Sequence, residues 1–270
     1  MPYCSINNIN FFYQEKGSGE PLVFLHGLGS SSDDWQQQIE YYSKKYRVIA
    51  IDCRGHGRSE ITDEKYTIPL FAKDITQILD MLNISCLHLV GFSMGGMIAF
   101  QVAIDDPSRI KSLIIINSGP GLTHNLWLMK TVVTLRIWVI HLMGMARLGK
   151  MISKKLFPKK SQEHLVERFI DSMKNNSKSA YIRSLRAFLI WDVTHKLASL
   201  DMPVLIVAAE HDYTSVDVKK AYSKKIKQAE VVVIPDSYHA TPLDQPLLLD
   251  QVLTQFLDTI KSDQTIQDNK

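Results

Sequence analysis

The chain has 270 residues, of which 45% are hydrophobic and 22% are charged, and its formal net charge is +3. This length allows one large domain with a substantial core, and the composition excludes disordered and fibrous classes. Three cysteines without metal-type spacing argue against a disulfide framework and fit a reducing compartment. The first five residues lack the basic and apolar segments of a secretory signal, so we expect a cytoplasmic location.

Apolar runs and helical spacings alternate along the first 120 residues, as a doubly wound parallel sheet requires. The first two predicted strands look like a hairpin at the sheet edge. The predicted strands lie at 3–6, 10–14, 22–25, 46–51, 87–90 and 110–116. The predicted helices lie at 32–43, 67–82 and 94–106. The chain therefore begins as an α/β fold.

This alternation stops between residues 121 and 190, where the sequence offers only helical runs. It resumes with strands at 203–208 and 231–234 and helices at 216–226 and 245–261. We therefore predict a core of residues 1–120 and 191–261, a helical insertion of residues 121–190, and a frayed polar tail of residues 262–270.

The insertion differs from the core in charge. Residues 121–190 contain thirteen Lys or Arg but only three Asp or Glu, whereas the rest of the chain is net acidic. The stretch Leu126 to Leu148 is apolar, but Lys130, Arg136 and Arg147 interrupt it too closely for an uncharged membrane crossing. It is better interpreted as amphipathic helices packed on an apolar surface.

Residues 91–96 read Gly-Phe-Ser-Met-Gly-Gly and lie between a predicted strand and a predicted helix. A serine flanked by glycines at such a turn is typical of a nucleophile elbow, which presents the hydroxyl of Ser93 as a reactive group. The same turn points the backbone N–H of Met94 at the place where a substrate carbonyl oxygen would become negative. The elbow therefore predicts a nucleophilic serine.

A nucleophilic serine needs a base, and the base needs an acid that orients it. Asp212 and His239 follow the last two predicted strands, where functional residues collect in open α/β sheets. The order Ser93, Asp212, His239 is the order expected with this elbow. The competing acids are Asp217, Glu210 and Asp192. The loop after the strand at 110–116 carries Asn117 and Ser118 but no carboxylate.

These motifs make the chain resemble the α/β-hydrolase fold superfamily over nearly its whole length. The resemblance implies a mostly parallel eight-stranded sheet with helices on both faces and a helical cap formed by the insertion. The run His26-Gly27-Leu28-Gly29 is similar to the oxyanion loop of that superfamily, so the N–H of Leu28 would join that of Met94. The run from Asp52 to Ser59 resembles a structural loop of the same superfamily, so Asp52 and His56 are not expected in the triad.

A serine at the elbow disfavours haloalkane dehalogenases and epoxide hydrolases, which place an aspartate there. Serine activated by histidine suits hydrolysis of a small or medium acyl ester through an acyl-enzyme, with no cofactor and no metal. Two alternatives stay open. One is a C–C bond hydrolase of aromatic ring-cleavage products, whose elbows are also often Ser-Met-Gly-Gly. The other is a receptor that keeps the fold and binds a ligand without turnover.

The predicted cap supplies candidates for substrate and partner binding. Trp127, Trp138 and Phe157 are expected to line the pocket together with Leu28 and Met94. The candidate docking residues for an acidic partner are Lys154, Lys155, Lys159 and Lys160.

Esterases that cleave pimeloyl-acyl-carrier-protein methyl ester resemble this chain in size, elbow and basic cap, which implies acyl carrier protein as a partner. Nucleic acid is not expected, because the basic residues come without a recognised module. An anionic membrane surface is the remaining, less favoured partner, since Leu126 to Leu148 is apolar enough to enter an interface.

Overall fold

The computed structural model describes residues 2–121 and 126–268. Eight strands form one sheet in the order β1-β2-β4-β3-β5-β6-β7-β8. Their bounds are β1 Tyr3–Ile6, β2 Ile9–Lys16, β3 Glu20–Leu25, β4 Tyr46–Ile51, β5 Leu87–Phe92, β6 Ile110–Ile116, β7 Val204–His211 and β8 Ala229–Tyr238. Strand β2 pairs antiparallel with β1 and β4, and all other pairs are parallel. The mostly parallel eight-stranded sheet is thus confirmed.

Helices cover both faces of this sheet. The α-helices are α1 Gln36–Tyr42, α2 Ile68–Met81, α3 Met94–Asp105, α4 Leu126–Leu156, α5 Glu163–Asn175, α6 Lys178–Ala187, α7 Val216–Ser223, α8 Thr241–Asp244 and α9 Pro246–Asp268. Alternate residues of the central strands enter two different apolar clusters, as a strand period of two requires. One cluster includes side chains of α2, α3 and α7, and the other includes side chains of α1 and α9.

The insertion leaves and rejoins the sheet at adjacent points. Gly121 and Asp192 form an antiparallel bridge, and the N–H of Val193 donates to the carbonyl of Pro120 at 2.7 Å. Between these points α4, α5 and α6 lie over the carboxyl ends of the strands and enclose their own apolar cluster. Helix α4 is kinked at Gly144, where φ is +79°. We refer to α4–α6 as the cap.

The structure differs from the sequence prediction mainly at element ends. Strands β7 and β8 extend to His211 and Tyr238, so Asp212 and His239 follow them directly. The predicted helix at 32–43 is a 3₁₀ turn followed by α1. Helix α9 continues to Asp268, beyond the predicted helix end at residue 261. Sheet pairing lengthened the strands past the apolar runs that marked them in the sequence.

Candidate active site

The turn between β5 and α3 holds Ser93 in a strained conformation, with φ +53° and ψ −113°. A Cβ on Gly91 would overlap the carbonyl of Gly95, and a Cβ on Gly95 would overlap the carbonyl of Leu25. Both positions therefore require glycine. Ser118 donates a hydrogen bond of 2.7 Å to the carbonyl of Ser93 and stabilises the turn from β6.

Three side chains from separate loops form one hydrogen-bonded chain. Oγ of Ser93 lies 3.0 Å from Nε2 of His239, and Nδ1 of His239 lies 2.5 Å from Oδ1 of Asp212. Because the ionised carboxylate can only accept, Nδ1 carries the proton and Nε2 is free to accept the serine proton. This is the geometry that a serine nucleophile, its base and an orienting acid require.

Asp212 has a second cationic partner that sequence reasoning missed. Nζ of Lys219 lies 2.5 Å from Oδ2 of Asp212, and both side chains are almost completely buried. The same ammonium donates to the carbonyl and hydroxyl oxygens of Thr214 at 2.8 Å. Burial raises the pKa of Asp212, but the attraction of His239 and Lys219 outweighs it and holds the pKa at about 2. Asp212 is therefore ionised at neutral pH.

The histidine loop is held by groups from the neighbouring strands. The ring of Tyr213 stacks on the His239 ring with centroids 4.3 Å apart, and Phe92 lies against the same ring at 5.3 Å. The Asn117 amide donates to the carbonyl of His239 at 2.7 Å and accepts from the N–H of Ala209 at 2.7 Å. Asn117 therefore ties the loop of His239 to β7, a role that sequence reasoning also missed.

The candidate oxyanion donors belong to the segments that follow β5 and β3. Met94 is the first residue of α3, Leu28 follows β3, and both line the pocket. The fully buried His26 accepts from the N–H of Cys53 at 3.0 Å and donates to the carbonyl of Gly27 at 2.7 Å. Burial lowers the pKa of His26, so a neutral imidazole fixes the loop that carries Leu28.

The segment from Asp52 to Ser59 lies apart from the triad. Asp52 accepts backbone N–H groups of Ser32 and Arg58 at 2.6 and 2.8 Å, and Arg54 binds Asp74 on α2 at 2.7 Å. Burial lowers the pKa of His56 to about 3, so this imidazole is neutral at neutral pH. The contacts of this segment join loops and leave His56 and Asp52 outside the site.

The competing acids also have other contacts. Glu210 accepts the N–H of Asp236 at 2.8 Å, and Asp192 accepts the N–H of Thr194 at 2.8 Å. Asp217 lies exposed in the first turn of α7. The structure thus brings His239 together with Asp212 among the acids considered from the sequence.

A pocket of about 260 Å³ opens over Ser93, between the core and the cap. Phe157 lines it, as expected, together with Phe169, Phe188 and an inner face of α4. From α4 the lining includes Met129, Val132, Val133 and Arg136, at helical spacing before the kink, and Ile152 and Leu156 after it.

Trp127 and Trp138 do not line the pocket, contrary to the sequence prediction. Their exposed fractions are 82% and 60%, and the ammonium of Lys130 lies over the Trp127 ring. Each is two residues from the pocket-facing set, which at about 100° per residue places it on the opposite side of the helix. The prediction identified the correct helix but the wrong face.

The four candidate docking lysines divide into two groups. Lys154, Lys155 and Lys160 are exposed. The ammonium of Lys159 binds the carboxylate and carbonyl of Asp236 at 2.7 Å, so its charge is already paired within the chain. Docking of an acidic partner on the four lysines stays a prediction. Among the residues that the structure describes, no group of three or more His, Cys, Asp or Glu side chains could hold a metal ion.

Comparisons with known proteins give relatives of the same size. A family model described as alpha/beta hydrolase fold matches residues 20–246. 3-oxoadipate enol-lactonase 1 of Acinetobacter baylyi is 29% identical over 89% of this chain and 89% of its own length. (E)-2-((N-methylformamido)methylene)succinate hydrolase of the same organism is 27% identical over 94% of this chain and 96% of its own length.

A solved structure supports the same fold. A thermophilic esterase from Thermogutta terrifontis superposes with a TM-score of 0.87 at 22% identity, covering 96% of this chain and 97% of the other. The family match spans most of the chain and includes the elbow, the acid and the histidine. The chain therefore belongs to the alpha/beta hydrolase fold family and is a hydrolase of that family.

Proposed function

We propose that the protein hydrolyses carboxylic esters, lactones included, through an acyl-enzyme on Ser93. The observation that carries this proposal is the 3.0 Å contact between Oγ of Ser93 and Nε2 of a His239 whose other nitrogen binds Asp212. This contact supplies a proton acceptor at the distance that general base catalysis needs. The proposal is consistent with the enol-lactonase and hydrolase names of the two curated relatives.

The proposed reaction has two halves. His239 takes the proton of Ser93 as Oγ attacks the ester carbonyl, and the resulting oxyanion accepts from the N–H groups of Leu28 and Met94. The carbonyl–alkoxy bond breaks and His239 returns the proton to the leaving oxygen. Water, deprotonated by His239, then attacks the acyl-enzyme, and the carboxylic acid leaves as Ser93 regains its proton. Each oxyanion donor contributes on the order of 100-fold to 1000-fold in rate.

The pocket favours an acyl group that carries its own carboxylate. Arg136 is the only Lys or Arg among the described lining residues, and the rest of the lining is largely apolar. Burial raises the pKa of the Tyr181 hydroxyl, and the positive charge of Arg136 opposes that rise. Since Tyr181 carries no opposite charge, the guanidinium keeps donors for a carboxylate. The adipate and succinate in the relatives' names fit this preference.

The test is turnover of p-nitrophenyl esters and of half-esters of short dicarboxylic acids by wild type, Ser93→Ala and Ser199→Ala. Ser199 is an exposed serine outside the pocket and serves as the matched control. We expect Ser93→Ala to lower kcat on the order of 10⁶-fold and Ser199→Ala to leave it unchanged. Turnover that survives Ser93→Ala would contradict the serine mechanism.

Two further measurements separate ester hydrolysis from the receptor and the C–C bond hydrolase alternatives. Stoichiometric labelling of Ser93 by a fluorophosphonate without multiple turnover on any ester would favour a receptor. Turnover of a ring-cleavage diketo acid in the absence of ester turnover would favour a C–C bond hydrolase. Either result would contradict ester hydrolysis as the function. A receptor or a C–C bond hydrolase would use the same pocket without ester turnover.

A further inference from the structure

Helix α4 exposes a line of large apolar side chains to solvent. The exposed fractions of Trp127, Leu135, Trp138 and Leu142 are 82%, 59%, 60% and 75%. At about 100° per residue these four positions fall within a sector of roughly 80°. We call them the outer stripe. Several large apolar side chains exposed on one face of a folded protein mark an interaction site.

The outer stripe lies on the opposite side of α4 from the pocket. Val133 and Ile140, on the inner side, are 3% and 0% exposed and belong to the cap's apolar cluster. The described stretch Met129–Leu156 is long and apolar enough to cross a membrane by composition alone. Because its inner face is already buried in the cap, the helix can offer only its outer face to a partner.

The charge of α4 identifies the class of that partner. The helix contains no Asp or Glu, whereas Lys130, Arg147, Lys150, Lys154 and Lys155 are exposed on it. Two tryptophans and two leucines on one face of a helix whose charged residues are all cations are typical of a helix that lies in the interface of an anionic bilayer. A second copy of this chain would bring two such helices together and oppose like charges.

We infer that the outer stripe of α4 enters the headgroup region of an anionic lipid surface, with Lys154 and Lys155 binding the acidic headgroups. In this orientation the cap faces the lipid and the core faces the water. The apolar side chains supply burial and the lysines supply electrostatic attraction. This surface goes beyond the proposed ester hydrolysis, and its test does not depend on catalysis.

The protein contains its own reporter. Of its four tryptophans, Trp127 and Trp138 are exposed, whereas Trp35 and Trp191 are 1% and 6% exposed. Insertion of the outer stripe should therefore shift tryptophan emission to the blue. The probes are vesicles of phosphatidylcholine alone and of phosphatidylcholine mixed with phosphatidylglycerol, with binding also measured by cosedimentation.

Two double variants test the two parts of the inference. Trp138→Ser with Leu142→Ser should weaken binding to the mixed vesicles by roughly 100-fold or more. Lys154→Glu with Lys155→Glu should weaken it by roughly 30-fold or more. All four side chains are exposed, so these changes should leave the fold intact.

Each variant has a matched control on the core. Leu247 is 71% exposed on α9, so Leu247→Ser removes exposed apolar surface outside the stripe. Lys44 and Lys45 are adjacent exposed lysines before β4, at the amino ends of the parallel strands, whereas the cap lies over their carboxyl ends. Leu247→Ser, and Lys44→Glu with Lys45→Glu, should leave vesicle binding unchanged.

The expected result is binding and a blue shift with phosphatidylglycerol vesicles, lost in both cap variants and kept in both controls. Failure to bind mixed vesicles, or binding that survives loss of Trp138 and Leu142, would overturn the inference. A dimer that these two substitutions dissociate, without vesicle binding, would make the occupant a second copy. Binding of purified acyl carrier protein through Lys154 and Lys155, without vesicle binding, would assign the lysines to that partner instead.

Discussion

The core and the cap position their functional side chains in different ways. In the core, Ser93, Asp212 and His239 stand at the ends of parallel strands, where backbone geometry brings them together. In the cap, the pocket face and the exposed face of α4 are set by the rotation of a single helix. Substitutions in the core should therefore change the rate for every substrate, whereas substitutions in the cap should change which substrates bind.

The core and the cap also have opposite net charge, and some of their charged side chains pair with one another at the boundary between them. Lys159 pairs with Asp236, Arg168 with Asp34, and Arg183 with Asp63, each a cap cation with a core acid. The positive charge of the insertion is therefore not all available to a partner. The contrast between core and cap can be tested by substitutions of decreasing effect.

The largest effect should come from the triad acid. Asp212→Asn keeps the size of the side chain but removes the charge that orients His239 and stabilises its protonated form. We expect kcat to fall roughly 10⁴-fold for neutral and charged esters alike. Steady-state kinetics on both ester types measure the effect, and a loss confined to one ester type would place Asp212 in substrate selection.

Asp217→Asn is the control, because the sequence offers this exposed carboxylate as an alternative to Asp212 for the triad acid. It should leave kcat unchanged.

Much of the core could be predicted from the sequence, because the same apolar runs mark both its strands and the positions of its functional residues. Buried parallel strands are continuous apolar runs, and the residue that follows each run lies at the functional edge of the sheet. This placed Asp212 and His239 correctly beside Ser93 in the structure. Lys219 and Asn117 gave no such signal, since a lysine on a short helix and an asparagine after a strand are ordinary surface residues.

The cap was harder to predict, for a physical reason. Helix α4 is apolar on both sides, so hydrophobic spacing does not tell which side faces the pocket. Trp127 and Trp138 were therefore assigned to the wrong face, while Phe157, beyond the helix end, was placed correctly in the pocket.

The next effect concerns the buried ion pair behind the triad. Lys219→Met leaves the carboxylate of Asp212 buried with one cation fewer, which should lower the free energy of unfolding by about 3–5 kcal/mol. Chemical denaturation measures this change. In an Asp212→Asn background the same substitution should cost less, because no buried anion is left uncompensated. Equal costs in both backgrounds would show that the two charges are not coupled.

The same variant should change the acid stability of the protein. The pKa of Asp212 is about 2 in the folded state, below its ordinary value of 3.8. The ionised carboxylate therefore stabilises the fold above that ordinary value, and this contribution is lost as the pH falls toward 2. Without Lys219 the folded pKa should rise, so acid unfolding followed by circular dichroism should begin at a higher pH. An unchanged acid transition would contradict the role given to Lys219.

A smaller and more selective effect is expected in the cap. Arg136→Met removes the pocket cation, so KM for a half-ester should rise by roughly 10-fold to 100-fold while a neutral ester is unaffected. Arg136→Lys keeps the charge but not the planar guanidinium, so its KM for the half-ester should lie between those of wild type and Arg136→Met. Equal changes for charged and neutral esters would indicate a packing defect in the cap rather than recognition of a carboxylate.

The smallest effect should come from an ion pair at the boundary between core and cap. Lys159 and Asp236 are partly exposed, so Lys159→Met should lower the free energy of unfolding by less than about 1 kcal/mol, and less still at high salt. Lys160→Met, at the next and more exposed lysine, is the matched control and should have no effect. We expect a small effect because apolar contacts also hold this part of the cap to the core. Phe157, two residues before Lys159, is only 3% exposed and packs with residues of the core. A large, salt-dependent loss on Lys159→Met would mean that charge rather than apolar contact holds the cap in place.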